Sequence, residues 1–257
     1  MFYILAVGDV VGTRGCEFLD ARLRSVKRFY KASLTIVNGE NSAPNNGITK
    51  SSAESIFSAG ADIITTGNHV FARSDVYDYL DEEPYVIRPA NYHESCPGHG
   101  AAVWDTGKFS VMVGNLSGTA FMDNLANPFV TADKLIREYK DCRIKVIDFH
   151  AETTSEKCAM AYYLDGRASV LYGTHTHVQT NDECIYPNGL GYITDIGMTG
   201  GQFSSLGVDP KPVIDKFIYN MPQKFIPSQN PIIMDIAVFG IDESTGKCVE
   251  ITKERIK

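Results

Sequence analysis

The stretch LTIVNGENSAPNNGITKSSAESIFSAGADIITTGNH, residues 34–69, decides the fold. It opens on a β-rich apolar run and passes through a loop of Gly, Asn and Pro. It then takes on helical composition up to Gly60 and ends in a second β-rich run. Upstream stand another apolar run, FYILAVGD (2–9), and TRGCEFLDARLRSVKRFYK (13–31), where Phe18, Leu19, Leu23, Val26 and Phe29 or Tyr30 recur at helical spacing. The result is β-α-β-α-β, the pattern of a parallel sheet with crossover helices.

Beyond residue 84 the texture changes. YVIRPANY, GAAVWDTG and FSVMVGN follow with little helical sequence between them, predicting added strands of a mixed or second sheet. Residues 116–130, rich in turn formers and aromatics, read as a long loop or small cap. A helix at 131–140, the strand IKVIDFH, a helix at 153–164 and the strands ASVLYGT and GYITDIG resume the alternation. PIIMDIAVFGID and KCVEIT suggest a terminal hairpin turning at ESTGK. With no repeat, low-complexity tract or proline-rich linker, residues 1–257 read as one compact domain with a modest insertion.

The formal net charge of −7 argues against an extended nucleic-acid or anionic-membrane surface, which needs clustered Lys and Arg. Six cysteines without CxxC spacing read as reduced structural thiols. The apolar N-terminus is too short for a signal peptide and meets Asp9, so a cytoplasmic location is the default. The sequon-like NLS at Asn115 then carries no meaning. Trp104 reads as core.

In open α/β sheets, sites form outside the carboxyl ends of the strands. Here those ends deliver Asp9, then Glu40 and Asn41, then Asn68 and His69, then His150, and finally His175 and His177. Each has an ordinary alternative. Asp9 suits a helix cap, Glu40 and Asn41 a solvated loop, Asn68 a turn, and His150 a simple strand end. The coincidence is what favours a metal site, since four of the six histidines fall at strand ends beside carboxylates and amides. Oxygen and imidazole donors without thiolate suit Mn, Fe or Zn, and there are too many for one tetrahedral ion. Two ions about 3.5–4 Å apart would use them all and form the clamp that in-line attack at phosphorus requires.

The order GDVVG, NGEN, TGNHV, DFHAE and GTHTH resembles the calcineurin-like metallophosphoesterase superfamily, with blocks GDxH, GD, GNH, H and GHxH. Within it, GDVVG, NGENSA, GNH, RPANY, DFHAETTSEK and GTHTHVQTND are most similar to the YmdB-type 2',3'-cyclic-nucleotide phosphodiesterase family. Val11 stands where the wider superfamily has a histidine, and Glu40, followed by Asn41, replaces its bridging aspartate; both changes match the YmdB-type branch. The resemblance implies a layered α/β/β/α sandwich of mixed sheets with a dinuclear site at the strand carboxyl ends. It implies Asp9, Glu40, Asn41 and His177 around one ion and Glu40, Asn68, His150 and His175 around the other, with Glu40 bridging. The ions would be divalent or mixed-valence iron, manganese or zinc. A metal-bridging hydroxide would attack the phosphorus of a small anionic phosphodiester, a 2',3'-cyclic nucleotide, and protonated His69 would donate to the leaving oxygen to give a 3'-phosphomonoester. A homo-oligomer follows only from the resemblance.

Weaker candidates for phosphate or base contact are Arg88, Asn91, Asn45, Asn46 and the segment TDIGMTG, each better explained by turns or packing. Glu152 suits either a partner of a ligand histidine or a carboxylate at a helix start. P-loop and dinucleotide-binding patterns are absent, and no nucleophilic hydroxyl follows Asp9. A nuclease or phosphomonoesterase with the same centre, and a non-catalytic metal-binding regulatory or RNA-associated scaffold, remain as alternatives.

Overall fold

In the computed structural model, which describes residues 1–257, the opening pattern builds the first of two sheets. β1 (Phe2–Val7), β3 (Leu34–Asn38), β4 (Ile63–Thr65) and the two-residue β5 (Val86–Ile87) run parallel. They are covered on both faces, which is why they read as unbroken apolar runs. β13 (Ile232–Ile241) pairs antiparallel with β1 and takes β12 (Met198–Gly201) and β14 (Cys248–Ile256) as further antiparallel partners, while β2 (Asp9–Val10) joins β12. The expected terminal hairpin is therefore part of this first sheet.

The crossover helices are α1 (Gly12–Phe29) and α2 (Lys50–Ala59). α1 buries Cys16, Leu19, Leu23 and Val26 at intervals of three and four, the stripe that holds it to the sheet. Phe29, at 77% exposure, lies off that stripe. α2 starts at a reciprocal Thr49–Ser52 capping box and stops at Gly60, whose φ of 119° a side chain would oppose.

The second sheet runs β10 (Cys184–Ile185), β11 (Gly191–Ile193), β9 (Val170–Thr174), β8 (Ile144–His150), β7 (Ser110–Ser117) and β6 (Ala101–Asp105), parallel inside with antiparallel edges. Strand alternation assigns each face. Ile4, Ile36 and Ile63 of the first sheet meet Val113, Val146 and Tyr172 of the second in one fully apolar layer. The other face of the first sheet packs Val37 and Ile64 under α1, α2 and α3 (Tyr77–Glu82). The other face of the second packs Ile147, Phe149 and Leu171 under α4 (Pro128–Glu138) and α5 (Thr154–Leu164). Each such buried aliphatic side chain contributes about 1.5–3 kcal/mol. The layers are thus α/β/β/α, with two mixed sheets.

Three local expectations differ. α4 starts at Pro128, inside the stretch expected to be loop, because Asn127 caps it and Pro occupies its first position; the irregular segment is 118–127. α6 (Pro210–Tyr219) was not foreseen and buries no residue. Trp104 lies on the edge strand β6, half-buried and edge-on to Tyr85 at 5.9 Å, and is not in the central core.

Candidate active site

At the carboxyl ends, the layer between the sheets changes from apolar to polar at one level. Alternate residues on the shared face pass from Ile36 to Asn38, Ile63 to Thr65, Val146 to Asp148 and His150, and Tyr172 to Thr174. Asp148 bolts the sheets together. It accepts from Asn38 Nδ2 (3.2 Å) and the Thr65 hydroxyl of the first sheet, and from Thr174 Oγ1 (2.7 Å) of the second. Burial pushes its carboxyl up to about 7, against the Thr65 and Thr174 hydrogen bonds. Asn115, the residue of the sequon-like triplet, is fully buried and joins Thr66 N to the Asp148 carbonyl at 3.3 Å each.

Above this layer, each histidine has one ring nitrogen engaged from outside the cluster. His150 Nδ1 lies 2.9 Å from Thr174 Oγ1, whose proton is committed to Asp148. His175 Nε2 lies 3.1 Å from Glu152 Oε2, and His177 Nδ1 lies 3.0 Å from the Leu206 carbonyl. These acceptors suit a proton on the outer nitrogen, so that the inward nitrogen is the one a metal ion would bind, the usual second contact of a metal-binding imidazole. Glu152 thus contacts a cluster histidine from its position just before Thr153, the N-cap of α5.

The inward atoms converge. His150 Nε2 lies 2.9 Å from Glu40 Oε2, 3.0 Å from Asn68 Oδ1 and 3.0 Å from His175 Nδ1. Glu40 Oε2, Asn68 Oδ1 and His175 Nδ1 so arranged call for a positive centre among them, a proton on His150 Nε2 or a metal ion in its place. Adjacent ligands on an octahedral ion with bonds of about 2.1 Å stand about 3 Å apart, the spacing observed. A looser group adjoins it: Asp9 Oδ1 is 3.6 Å from His177 Nε2, and Asn41 Nδ2 is 3.3 Å from the same nitrogen. Asp9 Oδ1 and Glu40 Oε2 are buried without a hydrogen-bond donor. The donor set fits divalent transition ions: the tight group brings together Glu40, Asn68, His150 and His175, and the loose group Asp9, Asn41 and His177.

The electrostatics agree with a centre that draws positive charge. Burial opposes ionisation of Glu40, yet His150 and His69 outweigh it and hold its carboxyl far below the normal range. Burial likewise works against charge on His177, but Asp9 lifts its pKa to about 9. His175, pressed by burial and by His150, falls to about 4.

Gly67 is the cradle for this cluster: a Cβ there would overlap Glu40 Oε2 and the His150 ring. Gly67→Ala is expected to weaken Mn2+ binding by about 10- to 100-fold with the fold intact, as displaced ligand contacts do. Calorimetric titration beside circular dichroism measures both; unchanged affinity would count against the cradle.

The loop carrying His175 and His177 is held from beneath. Both histidines adopt positive φ (99° and 62°), a costly conformation for residues with side chains. Lys157, only 1% exposed, donates to the Thr174 carbonyl and to Asp195 Oδ2, each at 2.9 Å. The same carboxylate oxygen accepts from Thr176 N (3.1 Å) and Thr176 Oγ1 (2.8 Å). Sequence reading missed this pair, as it missed Asn38, Thr65, Asp148 and Thr174. A charged or polar residue at the end of an apolar alternation was the available signal for the last four.

His69 stands beside the cluster, with Nδ1 2.7 Å from Glu40 Oε1. It lines a cavity of about 770 Å3 that also exposes Glu40, Asn41, His175 and His177. Val11 lines the same cavity with no ligand atom to offer. Asn45 and Asn46 border it, whereas Arg88 is spent on the carbonyls of Pro89, Cys96 and Pro97 and Asn91 on Ser117 and Ala126. No helix is long and apolar enough to cross a membrane.

Two mixed sheets thus lie between helical layers, with histidine, carboxylate and amide groups gathered at their carboxyl ends. The YmdB-like protein family matches residues 5–254. A 2',3'-cyclic-nucleotide 2'-phosphodiesterase of Bacillus subtilis is 42% identical over 251 residues, covering 97% of this chain and 95% of that protein. Among solved structures, a phosphatase from Mycoplasma pneumoniae superposes with a TM-score of 0.94 at 33% identity, covering 99% of this chain and 93% of that one. A hypothetical protein of Thermus thermophilus gives 0.93 at 35% identity, with 99% and 98% covered. The chain belongs to the YmdB-like family and is a hydrolytic phosphoesterase.

Proposed function

We propose that this protein is a metal-dependent phosphodiesterase that opens 2',3'-cyclic nucleotides to 3'-phosphomonoesters, and that residues 1–257 act as one catalytic domain. The observation that carries the reading is the convergence of Glu40, Asn68 and His175 on His150 Nε2 at 2.9–3.0 Å. Asn68, His150, His175 and Glu40 would hold one ion; Asp9, Asn41 and His177, with Glu40, would hold a second. Ions there supply Lewis acidity toward the phosphoryl oxygens and toward a water nucleophile.

The chain's own contribution to the chemistry is His69. Glu40 anchors its Nδ1, which orients the ring, and Nε2 is left for the substrate. From there it delivers a proton to the departing ribose 2'-oxygen, so the product carries a 3'-phosphate and a neutral 2'-hydroxyl. The printed activity of the Bacillus subtilis relative supports this choice of bond.

The test compares turnover of a 2',3'-cyclic nucleotide, a linear oligonucleotide and a phosphomonoester, with elemental analysis of the same preparation. Expected are bound transition metal, preference for the cyclic diester, loss of activity on chelation and its return with Mn2+. Preference for the monoester would make the protein a phosphomonoesterase. Absence of both metal and turnover would point to a non-catalytic scaffold.

A further inference from the structure

The cavity is far larger than a phosphoryl group, and its volume of about 770 Å3 falls in the range that encloses a whole small-molecule ligand. Its lining is of two kinds. The strand ends supply the polar part already described. A single excursion between β12 and β13, residues 202–231, supplies Leu206, Val208, Phe225 and Pro227.

This apolar part is built, not incidental. Asp209 N donates to the Ile226 carbonyl (2.8 Å) and Ser228 N to that of Gly207 (3.0 Å), tying the two arms of the excursion together. The Arg14 guanidinium holds the Ser228 carbonyl at 2.6 Å. The Leu206 carbonyl is also the acceptor for His177 Nδ1, so the apolar surface is registered to the metal cluster by a direct bond. Leu206 and Phe225 remain 50% and 41% exposed. The ammonium of Lys216 lies 5.2 Å from the Phe225 ring centroid, occupying one face and orienting the ring. Asn45 and Asn46 border the same cavity, offering amide donors and acceptors.

We infer that Leu206, Val208, Phe225 and Pro227 form a nucleobase subsite, which rests on the phosphodiesterase reading and names what distinguishes its substrate from other cyclic diesters. With the phosphorus at the metal cluster, the planar base lies on the free face of Phe225 and covers the apolar wall. An inorganic phosphate or a sugar phosphate leaves that wall bare.

The experiment measures kcat and KM for 2',3'-cyclic AMP and for glycerol 1,2-cyclic phosphate, which has the same five-membered phosphodiester ring and no base. Wild type is expected to favour the nucleotide. Phe225→Ala should raise KM for the nucleotide by about tenfold or more, the scale of one base–aromatic stack, with kcat and the glycerol diester nearly unchanged. Phe225→Trp should retain the preference. Equal effects of Phe225→Ala on both compounds, or equal use of both by wild type, would overturn the subsite while leaving the phosphodiesterase reading intact. Turnover of neither compound with any metal would overturn that reading itself.

Discussion

Alanine at position 69 is expected to lower kcat toward a 2',3'-cyclic nucleotide by about 10^2- to 10^4-fold, the usual contribution of a positioned proton donor, while bound metal stays at its wild-type level. The separation follows from geometry. His69 touches Glu40 Oε1 and lines the cavity, but none of the four converging atoms belongs to it. A nitrophenyl phosphodiester, whose leaving group needs no proton, supplies the control. Its turnover should fall far less than that of the nucleotide. Equal loss on both substrates, or loss of metal together with activity, would remove His69 from the role of proton donor.

Replacing Lys157 with methionine should cost about 3–5 kcal/mol, because it strands the buried Asp195 carboxylate without its counter-ion. For a chain of this length that corresponds to a fall in Tm of roughly 10 °C. The same change frees the Thr174 carbonyl just before two histidines held at positive φ. Metal affinity should therefore fall as well. The variant Lys157→Met/Asp195→Leu separates the two effects, since an apolar pair of similar volume restores stability without restoring the hydrogen bonds to Thr174 and Thr176. Recovery of both stability and metal affinity in the double variant would show that the ion pair does not position the loop.

The parallel strands, their crossover helices and the polar groups at their ends were legible because each is a local pattern. Unbroken apolar runs marked β1, β3 and β8, and the stripe through Cys16, Leu19, Leu23 and Val26 marked α1. The short strands β2, β10 and β12 were not legible: Met198–Gly201 has two glycines and little β-propensity, and only pairing with β13 makes it a strand. α6 carried both its Asp209–Pro210 start signal and an amphipathic pattern and was still overlooked; in the fold it buries no residue. The polar residues at the strand ends announced themselves by position. Their supports did not, because Lys157 and Asp195 are 38 residues apart, and Asn38 lies 110 residues from Asp148. Long-range pairing of this kind exists only after the sheets have docked.

That docking has a thermodynamic consequence. Asp9, Glu40, Asn41 and Asn68 come from the first sheet and His150, His175 and His177 from the second, with Asp9 and His175 in contact across 166 residues of chain. Any cation that binds only the assembled centre is a staple between the sheets. Held at a thousandfold excess over its Kd, it adds about 4 kcal/mol to the free energy of unfolding. Protease resistance and thermal lifetime would then become functions of free metal activity, so that the stability of the fold would report the supply of any ion that binds there.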